Sequence, residues 1–503
     1  MKNPSRLVKN TFLLTGSALV MRCIAMAFQV WLVGRIGSDG IGLFQLVMSV
    51  SMLCTTFAIS GIRFAATRLI SEELGLGRGD GVGMAMRRCL SYGAVFGMAA
   101  FALLWLFAKP IGFLWIGDAR TVYPLRLLSF SLPFISLSSV ISGYFTASGR
   151  VYKSALVQVS EQLVKIALVA VFLSASPAGD IEKACSAVVA GGTAAEVFSL
   201  ILITLIYILD RRVHKKQGGS SKGMTVRMFS IAIPLAFSAY ARTSLSTIEH
   251  LLVPRGLKAS GMSPGSALSG YGVVHGMVFP IITFPSCFLL ALAETLVPEL
   301  TEAQVSGRTD YISHTVSRLI EKCLMFAIAA ATLLFTYADE LGNLIYSSPE
   351  TGRYIKIFAI LTPVIYMDMV TDGCLKGLGQ HMHSMAYNIW DAAISVMLVY
   401  TILPRYALTG YIFIICFTEC FNFILSIRRL AKISHLRLNI SGILLPLLCS
   451  LAAVQSMKLL ENTIGFLLPS SIFSMILTIC SCSALYILLL RLCGISIKSK
   501  TEA

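Results

Sequence analysis

Three arginines, Arg22, Arg63 and Arg242, stand inside long apolar stretches of this chain. A charge at the centre of a membrane helix costs about 2.5 to 3.5 kcal/mol on insertion scales, so a retained one is expected to meet a counter-charge or water. Arg22 and Arg63 have no acidic residue three or four positions away on their own helices. A guanidinium keeps its charge when desolvated and its forked donors match phosphate oxygens, so both are candidate phosphate ligands. One lysine, Lys165, and eight acids, Glu161, Glu196, Glu249, Glu294, Asp368, Asp372, Asp391 and Glu419, fall within or at the edges of similar stretches.

Helical spacing says which of these groups share a face. Gln158, Glu161, Gln162 and Lys165 recur at i, i+3, i+4 and i+7, with Glu161 and Lys165 in the favourable i,i+4 order. Arg242, Ser246 and Glu249 form a second stripe, while Thr15, Arg22 and Gln29 recur every seven residues and Asp368, Asp372 and Lys376 every four. Polar stripes on helices from both halves of the chain point to a polar, water-filled cavity. The pairs Glu161 with Lys165 and Asp372 with Lys376 also read as self-neutralising structural pairs.

The elements that must position these groups follow from composition. Of 503 residues, 56% are hydrophobic and 13% charged, and the mean hydropathy is +0.78. Globular proteins are about one quarter charged, so a soluble chain of this size is excluded. Strands of a membrane barrel alternate over about ten residues, whereas these apolar runs are continuous and about twenty long. The expected fold is an all-α polytopic membrane protein with about fourteen spans. Spans one, two, five, seven and ten lie near 10–33, 41–67, 154–174, 228–251 and 354–375, and the last two near 439–458 and 470–492.

The 41 Lys and Arg against 25 Asp and Glu give +16. With both termini placed in the cytoplasm, most of the basic residues fall on inner segments, so the positive-inside rule accounts for the excess and no nucleic-acid partner is expected. The expected location is a bacterial-type plasma membrane. The first apolar stretch follows Lys2, Arg6 and Lys9 but is too long for a signal peptide and contains Arg22, so a retained helix is expected. Thirteen cysteines occur without a C-x-x-C pair, which implies neither a disulfide framework nor a zinc site.

The chain also repeats itself. At an offset of 230 residues, Gly40, Gly42, Pro133, Gly143, Gly149, Ser154 and Glu161 match Gly270, Gly272, Pro363, Gly373, Gly379, Ser384 and Asp391. The opening helix matches at 220, setting Arg22 and Arg35 against Arg242 and Arg255, and an insertion of about ten residues reconciles the offsets. Two six-helix lobes are expected, 1–209 and 228–432, joined by a basic cytoplasmic linker at 210–227, with helices 13 and 14 and a cytoplasmic tail over 433–503. An even number of spans per half makes the repeats parallel, an arrangement of transporters that rock two lobes around a midplane site.

Other motifs carry less. GLGRGDGVG at 75–83 lacks the spacing of a dinucleotide cradle and reads as a loop, and His381 with His383 reads as a solvated turn rather than a metal site. No Ser/His/Asp arrangement or P-loop is present, so no catalytic residue, cofactor or metal is assigned and the chain is not expected to be an enzyme.

Four segments, GRIGSDGIGLFQL (34–46), SGYFTASGR (142–150), VQVSEQLVKIALVAV (157–171) and PSCFLLALAETLVPELTEA (285–303), resemble the stage V sporulation protein B-like polysaccharide transporters. Their superfamily also holds the lipid II flippases and the multidrug and toxin extrusion transporters. The resemblance implies that a polyprenyl-pyrophosphate-linked saccharide, such as a peptidoglycan or polysaccharide precursor, is turned from the inner to the outer leaflet by alternating access. It places Arg22 and Arg63 at the pyrophosphate and the prenyl chain along the last two helices; the charge argument and the repeat add Arg242, the mate of Arg22, to the pyrophosphate ligands. Related sporulation proteins tend to carry a second arginine one heptad after the first, where this chain has Gln29. Gln29, Gln158, Glu161, Lys165, Glu249, Asp372 and Asp391 remain candidates for the polar cavity lining, among which Glu161, Glu249 and Asp391 are candidates for coupling to Na⁺ or H⁺. Lipid-linked saccharide and membrane lipids are the expected partners of a monomeric protein. The competing expectation is a multidrug and toxin extrusion-type cation antiporter, which the acids in the spans favour and the arginines oppose.

Overall fold

The computed structural model describes residues 4–177, 179–211, 223–436, 441–464 and 472–493. Every regular element among them is helical. In the first half of the chain the α-helices are α1 (Pro4–Ile59), α2 (Ile62–Gly75), α3 (Gly79–Pro110), α4 (Val122–Ser129), α5 (Ser131–Ala147), α6 (Val151–Ser174) and α7 (Ile181–Arg211). Then follow α8 (Met224–Ala259), α9 (Pro264–Gly272), α10 (Phe279–Thr283), α11 (Ser286–Val305), α12 (Thr309–Thr336) and α13 (Ala338–Tyr346). The last are α14 (Pro349–Gly377), α15 (His381–Ser434), α16 (Ser441–Ile464) and α17 (Ile472–Leu492). Most of the predicted linker, 212–222, and the tail after 493 lie outside the described residues.

Among the described residues, eleven helical segments are long and apolar enough to cross a membrane, or twelve when the pair Ala119–Ser129 and Ser131–Ala147, bent by 42°, is taken as one span. Two of the eleven, Leu19–Gly75 and His381–Ser434, run for 57 and 54 residues, more than twice the roughly 20 residues of one crossing. Each contains a break in helical backbone, at Gly37 (φ 71°) and Ala407 (φ 50°). The expectation of about fourteen spans counts each of these as two.

Two compact units are present. The first comprises Met1–Gly272 with Ser395–Tyr411. Within it α6 packs on α7, α5 on α2 and α3, and α1 on α8 and α9. Its core includes Ile62, Leu69, Met86, Val140, Tyr144 and Phe145. The second comprises Val273–Ile394 and Ile412–Ala503, in which α14 packs on α11, α12 and α13, and α12 on α16, which in turn packs on α17. Between helices in lipid the hydrophobic effect offers little, so close backbone approach at small residues and buried hydrogen bonds must supply the cohesion.

The repeat is visible in the backbone. Asp118 N–H donates to Gly112 O in the turn before α4, and Ser348 N–H donates to Gly342 O in the turn before α14. The preceding residues, Gly117 (φ 73°) and Ser347 (φ 51°), are both left-handed, and the next side chains cap the following helices, Asp118 at Arg120 N and Ser348 at Thr351 N. Arg78 N–H donates to Glu73 O after α2 as Arg308 N–H does to Ala303 O after α11. Ser142 and Ser154 bond through their hydroxyls, and the matching residues Asp372 and Ser384 bond in the same way, the serine donating to the carboxylate. All these pairs are related by the 230-residue offset.

One crossing within the first unit joins the two repeats directly. A Cβ at Gly42 would stand 2.3 Å from Leu268 O, and a Cβ at Gly272 would stand 2.3 Å from Ser38 O and 2.8 Å from Gly42 N. Shifting by 230 turns Gly42 into Gly272 and Ser38 into Leu268, so each contact is the other with its partners exchanged. At this crossing the two matching segments pack on each other reciprocally, and only glycine at both positions lets the backbones of α1 and α9 touch. Ser269 Oγ donates to Ser38 Oγ at 2.7 Å beside the crossing.

Candidate functional site

The polar groups predicted to share a cavity fall into local clusters on identified helices. Along the first unit, α1 and α2 run beside α8. Thr247 Oγ1 donates to Ser49 O at 3.1 Å, Thr56 Oγ1 to Thr243 Oγ1 at 3.4 Å and Tyr240 Oη to Ser60 Oγ at 2.6 Å. Arg63 follows Ser60 by three residues and Arg242 precedes Thr243, so the two helices of this seam each carry one of these arginines. Arg22 lies earlier on α1, before the break at Gly37. All three side chains are exposed, and none forms an ion pair with a described residue. At the end of the seam, Glu72 accepts from Arg68 on its own helix and from Arg227 of α8.

Glu249, further along α8, is half-buried and accepts a 2.6 Å hydrogen bond from Ser395 Oγ of α15. Its surroundings within the first unit include Tyr271 and Tyr411, both in its electrostatic field, and His250, whose ring meets the edge of Tyr271 at 6.3 Å. No described cation pairs with Glu249 within 4.0 Å. By the repeat offsets, Glu249 and Ser395 occupy the places of Gln29 and Lys165, so an acid and a hydroxyl in one half stand where an amide and an ammonium stand in the other.

The stripe on α6 is arranged differently from its spacing. Gln158 is exposed, while Glu161 and Lys165 are half-buried. Glu161 Oε2 accepts from Ser199 Oγ of α7 at 2.6 Å, and Lys165 forms no ion pair within 4.0 Å among the described residues. Glu196 of α7 lies in the field of both Glu161 and Lys165. In the second unit the stripe on α14 does close on itself. Lys376 Nζ is 2.6 Å from Asp372 Oδ2, and Ser384 donates to the other oxygen. Asp368, one turn back, accepts from Asn422 Nδ2 at 3.1 Å, and Asn422 also donates to Asn388 Oδ1 at 3.3 Å. Asp391 is half-buried on α15, and the side chains of Thr15 and Glu294 lie outside the described ones.

The spacing therefore located the charges but not their partners. Ser199, Ser395, Asn388 and Asn422 carry no charge and sit on neighbouring helices, so a search for ionisable residues passes over them. Asp210, expected as the first residue of the flexible linker at 210–227, lies instead in the last turn of α7, buried and receiving Arg150, Lys153 and the Tyr144 hydroxyl, which hold it to the helix. Among the described residues no group of three or more His, Cys, Asp or Glu side chains is arranged to hold a metal ion.

Comparison with known proteins gives the chain a family. The model of the polysaccharide biosynthesis protein family matches residues 7–304. The chain belongs to this family. Among its relatives, stage V sporulation protein B of Bacillus subtilis (strain 168) is 25% identical over 403 residues, covering 79% of this chain and 78% of that protein. Lipid II flippase MurJ of the same organism is 22% identical over 430 residues, covering 78% of this chain and 77% of that protein. The solved structure of lipid II flippase MurJ in an inward closed conformation superposes with a TM-score of 0.73 at 12% identity, covering 96% of this chain and 98% of that one. The multidrug transporter DinF-BH, of the MATE type, superposes at 0.62 and covers 87% of this chain. The family is one of multi-pass membrane transporters and flippases, not enzymes, and this polysaccharide-biosynthesis family member is a transporter of that kind.

Proposed function

We propose that the protein turns a polyprenyl-pyrophosphate-linked saccharide from the inner to the outer leaflet by alternating access of the lobes predicted at 1–209 and 228–432. This reading rests on three exposed arginines, Arg22, Arg63 and Arg242, each within an apolar span and none in an ion pair with a described residue. An uncompensated guanidinium at such a position is stable only with an anion or water beside it, and a pyrophosphate supplies a doubly forked anion. A cation substrate would meet repulsion there. The flippase named among the relatives moves lipid II, a substrate of this chemistry, which supports the same assignment.

In this account the arginines bind the pyrophosphate, the saccharide occupies water, and the prenyl chain lies along α16 and α17. Gln29 and Gln158 offer neutral hydrogen bonds to sugar hydroxyls, and Lys165 adds a second cationic region. Glu161, Glu249 and Asp391 couple transport to Na⁺ or H⁺, since each is half-buried in a span where loss or gain of a cation changes its cost of burial. Asp372 is held by Lys376 and serves structure. The protein works as a monomer with both termini in the cytoplasm. The test is transport of a fluorescent lipid-linked saccharide in proteoliposomes, run beside efflux of a cationic dye. Flipping without dye efflux supports the reading, and dye efflux without flipping replaces it with a cation antiporter.

A further inference from the structure

One face of the first unit carries cations that the transport account does not use. Phe101, Trp105 and Lys109 recur every four residues on α3, so they line one face, each about 6 Å further along the axis. Lys109 stands in the last turn, at the end that leads into the 111–121 turns. Helix α4 packs beside this face and places the Arg126 guanidinium 5.4 Å from the centroid of the Trp105 ring. Phe130, just past α4, lies 5.2 Å from both Phe101 and Trp105. Trp105 and Phe130 are 38% and 43% exposed, an open aromatic surface rather than a sealed core.

The charge on this face is unbalanced. Arg126 Nε is buried without a hydrogen-bond partner, and neither Arg126 nor Lys109 forms an ion pair with a described residue. The acid of the adjoining loop, Asp118, is already engaged by Arg120 at 2.6 Å. Arg126 lies four residues inside α4, about 6 Å from its first residue, within the reach of an arginine that extends its head toward the membrane surface. From the loop inward the order is therefore two cations, an indole, then phenylalanine and aliphatic surface. An anionic phospholipid presents the same order, phosphate first and acyl chain deeper.

We propose that Lys109, Arg126, Trp105 and Phe130 form a binding site for an anionic bilayer phospholipid, its phosphate between the two cations and an acyl chain across the aromatic face. A zwitterionic lipid carries its own cation and neutralises this site less well, so the site selects by headgroup charge. A general aromatic anchoring belt would show no such selection.

The test uses the full chain with Trp31, Trp115 and Trp390 replaced by Phe, which leaves Trp105 as the one indole of the four. It is reconstituted in phosphatidylcholine nanodiscs doped with equal mole fractions of either brominated phosphatidylglycerol or brominated phosphatidylcholine, and quenching of Trp105 is measured. Phosphatidylglycerol is expected to quench at about thirtyfold lower mole fraction, as two basic groups near an anionic headgroup supply. K109Q with R126Q together are expected to abolish the difference. K109Q alone, at an exposed side chain, removes part of it and guards against misfolding of the double variant. Equal quenching by the two lipids in the parent protein overturns the proposal, as does a preference that survives in K109Q with R126Q. Displacement of the brominated phosphatidylglycerol by a much smaller amount of polyprenyl phosphate assigns the site to the carrier lipid and also overturns it.

Discussion

Adding one methyl group at the α1–α9 crossing should be enough to part the two helices. In Gly42→Ala the new Cβ would lie 2.3 Å from Leu268 O, whereas ordinary contact begins at 3.4 Å, so the backbones must separate by about 1 Å. Backbone atoms on both sides leave no flexible side chain to give way, and overpacking of this kind costs about 1 to 3 kcal/mol. At about 2 kcal/mol the closed crossing loses roughly thirty-fold in population relative to any arrangement in which it is open. Ser38 and Ser269, whose hydroxyls are 2.7 Å apart, report on it. Oxidation of a protein carrying Ser38→Cys and Ser269→Cys should cross-link α1 to α9 quickly, and Gly42→Ala should slow that by about tenfold or more. Gly272→Ala should do the same, because its Cβ meets Ser38 O at the same 2.3 Å. The two substitutions together should cost less than their sum, since either one already opens the shared contact. Unchanged cross-linking and unchanged thermal unfolding in both single variants would refute the reciprocal packing.

Three further outcomes follow from local geometry. Ser154→Ala leaves the buried Ser142 hydroxyl without its partner and should lower stability by about 1 to 2 kcal/mol, read as a drop in the unfolding midpoint in detergent. Asp118, in the loop before α4, is partly desolvated, which by itself raises its pKa, but hydrogen bonds from the Arg120 side chain and backbone and the nearby charges of Arg120 and Lys258 hold it below the usual carboxylate value of 3.8. That stabilisation is present above the ordinary value and is lost as acid protonates the folded carboxylate. Because Arg120 is partly exposed, Asp118→Asn should cost no more than about 1 kcal/mol at pH 7, and the gap between the two melting curves should close at strongly acid pH; a gap independent of pH would contradict the ion pair. Glu249→Gln keeps the Ser395 hydrogen bond but removes the charge, so it should abolish the dependence of transport on a Na⁺ or H⁺ gradient while leaving binding of lipid-linked saccharide intact; retained gradient dependence would clear Glu249 of that role.

Much of the architecture was legible because membrane helices and repeats leave strong marks. Continuous apolar runs need no partner to be recognised, and glycines required by close backbone approach recur at a fixed offset, as Gly42 and Gly272 do. The opening arginine pair, Arg22 and Arg242, stood out for a similar reason, since charge in an apolar span is rare. What the spacing could not supply was the choice of partner. Glu161 and Lys165 have the right separation for an ion pair on one helix, but Ser199 on α7 takes the carboxylate. Asp372 and Lys376 have the same separation and do pair, because Ser384 supports the acid without displacing the lysine. The bend between α4 and α5 was also hidden, as two short apolar helices read as one continuous stretch. The sequence gives no sign of the pairing of Arg126 with Trp105, because it depends on how α4 packs against α3.

If arginines in the spans hold the anionic part of a lipid-linked saccharide, their removal must slow transport of a labelled polyprenyl-pyrophosphate-linked saccharide in proteoliposomes, measured for the parent protein, Arg22→Ala and Arg63→Ala at matched protein incorporation. Loss of a charge-assisted hydrogen-bonding pair is worth about 1.5 to 3 kcal/mol, so each variant should transport at least about tenfold more slowly at limiting substrate. Transport at the parent rate by both variants would contradict the account.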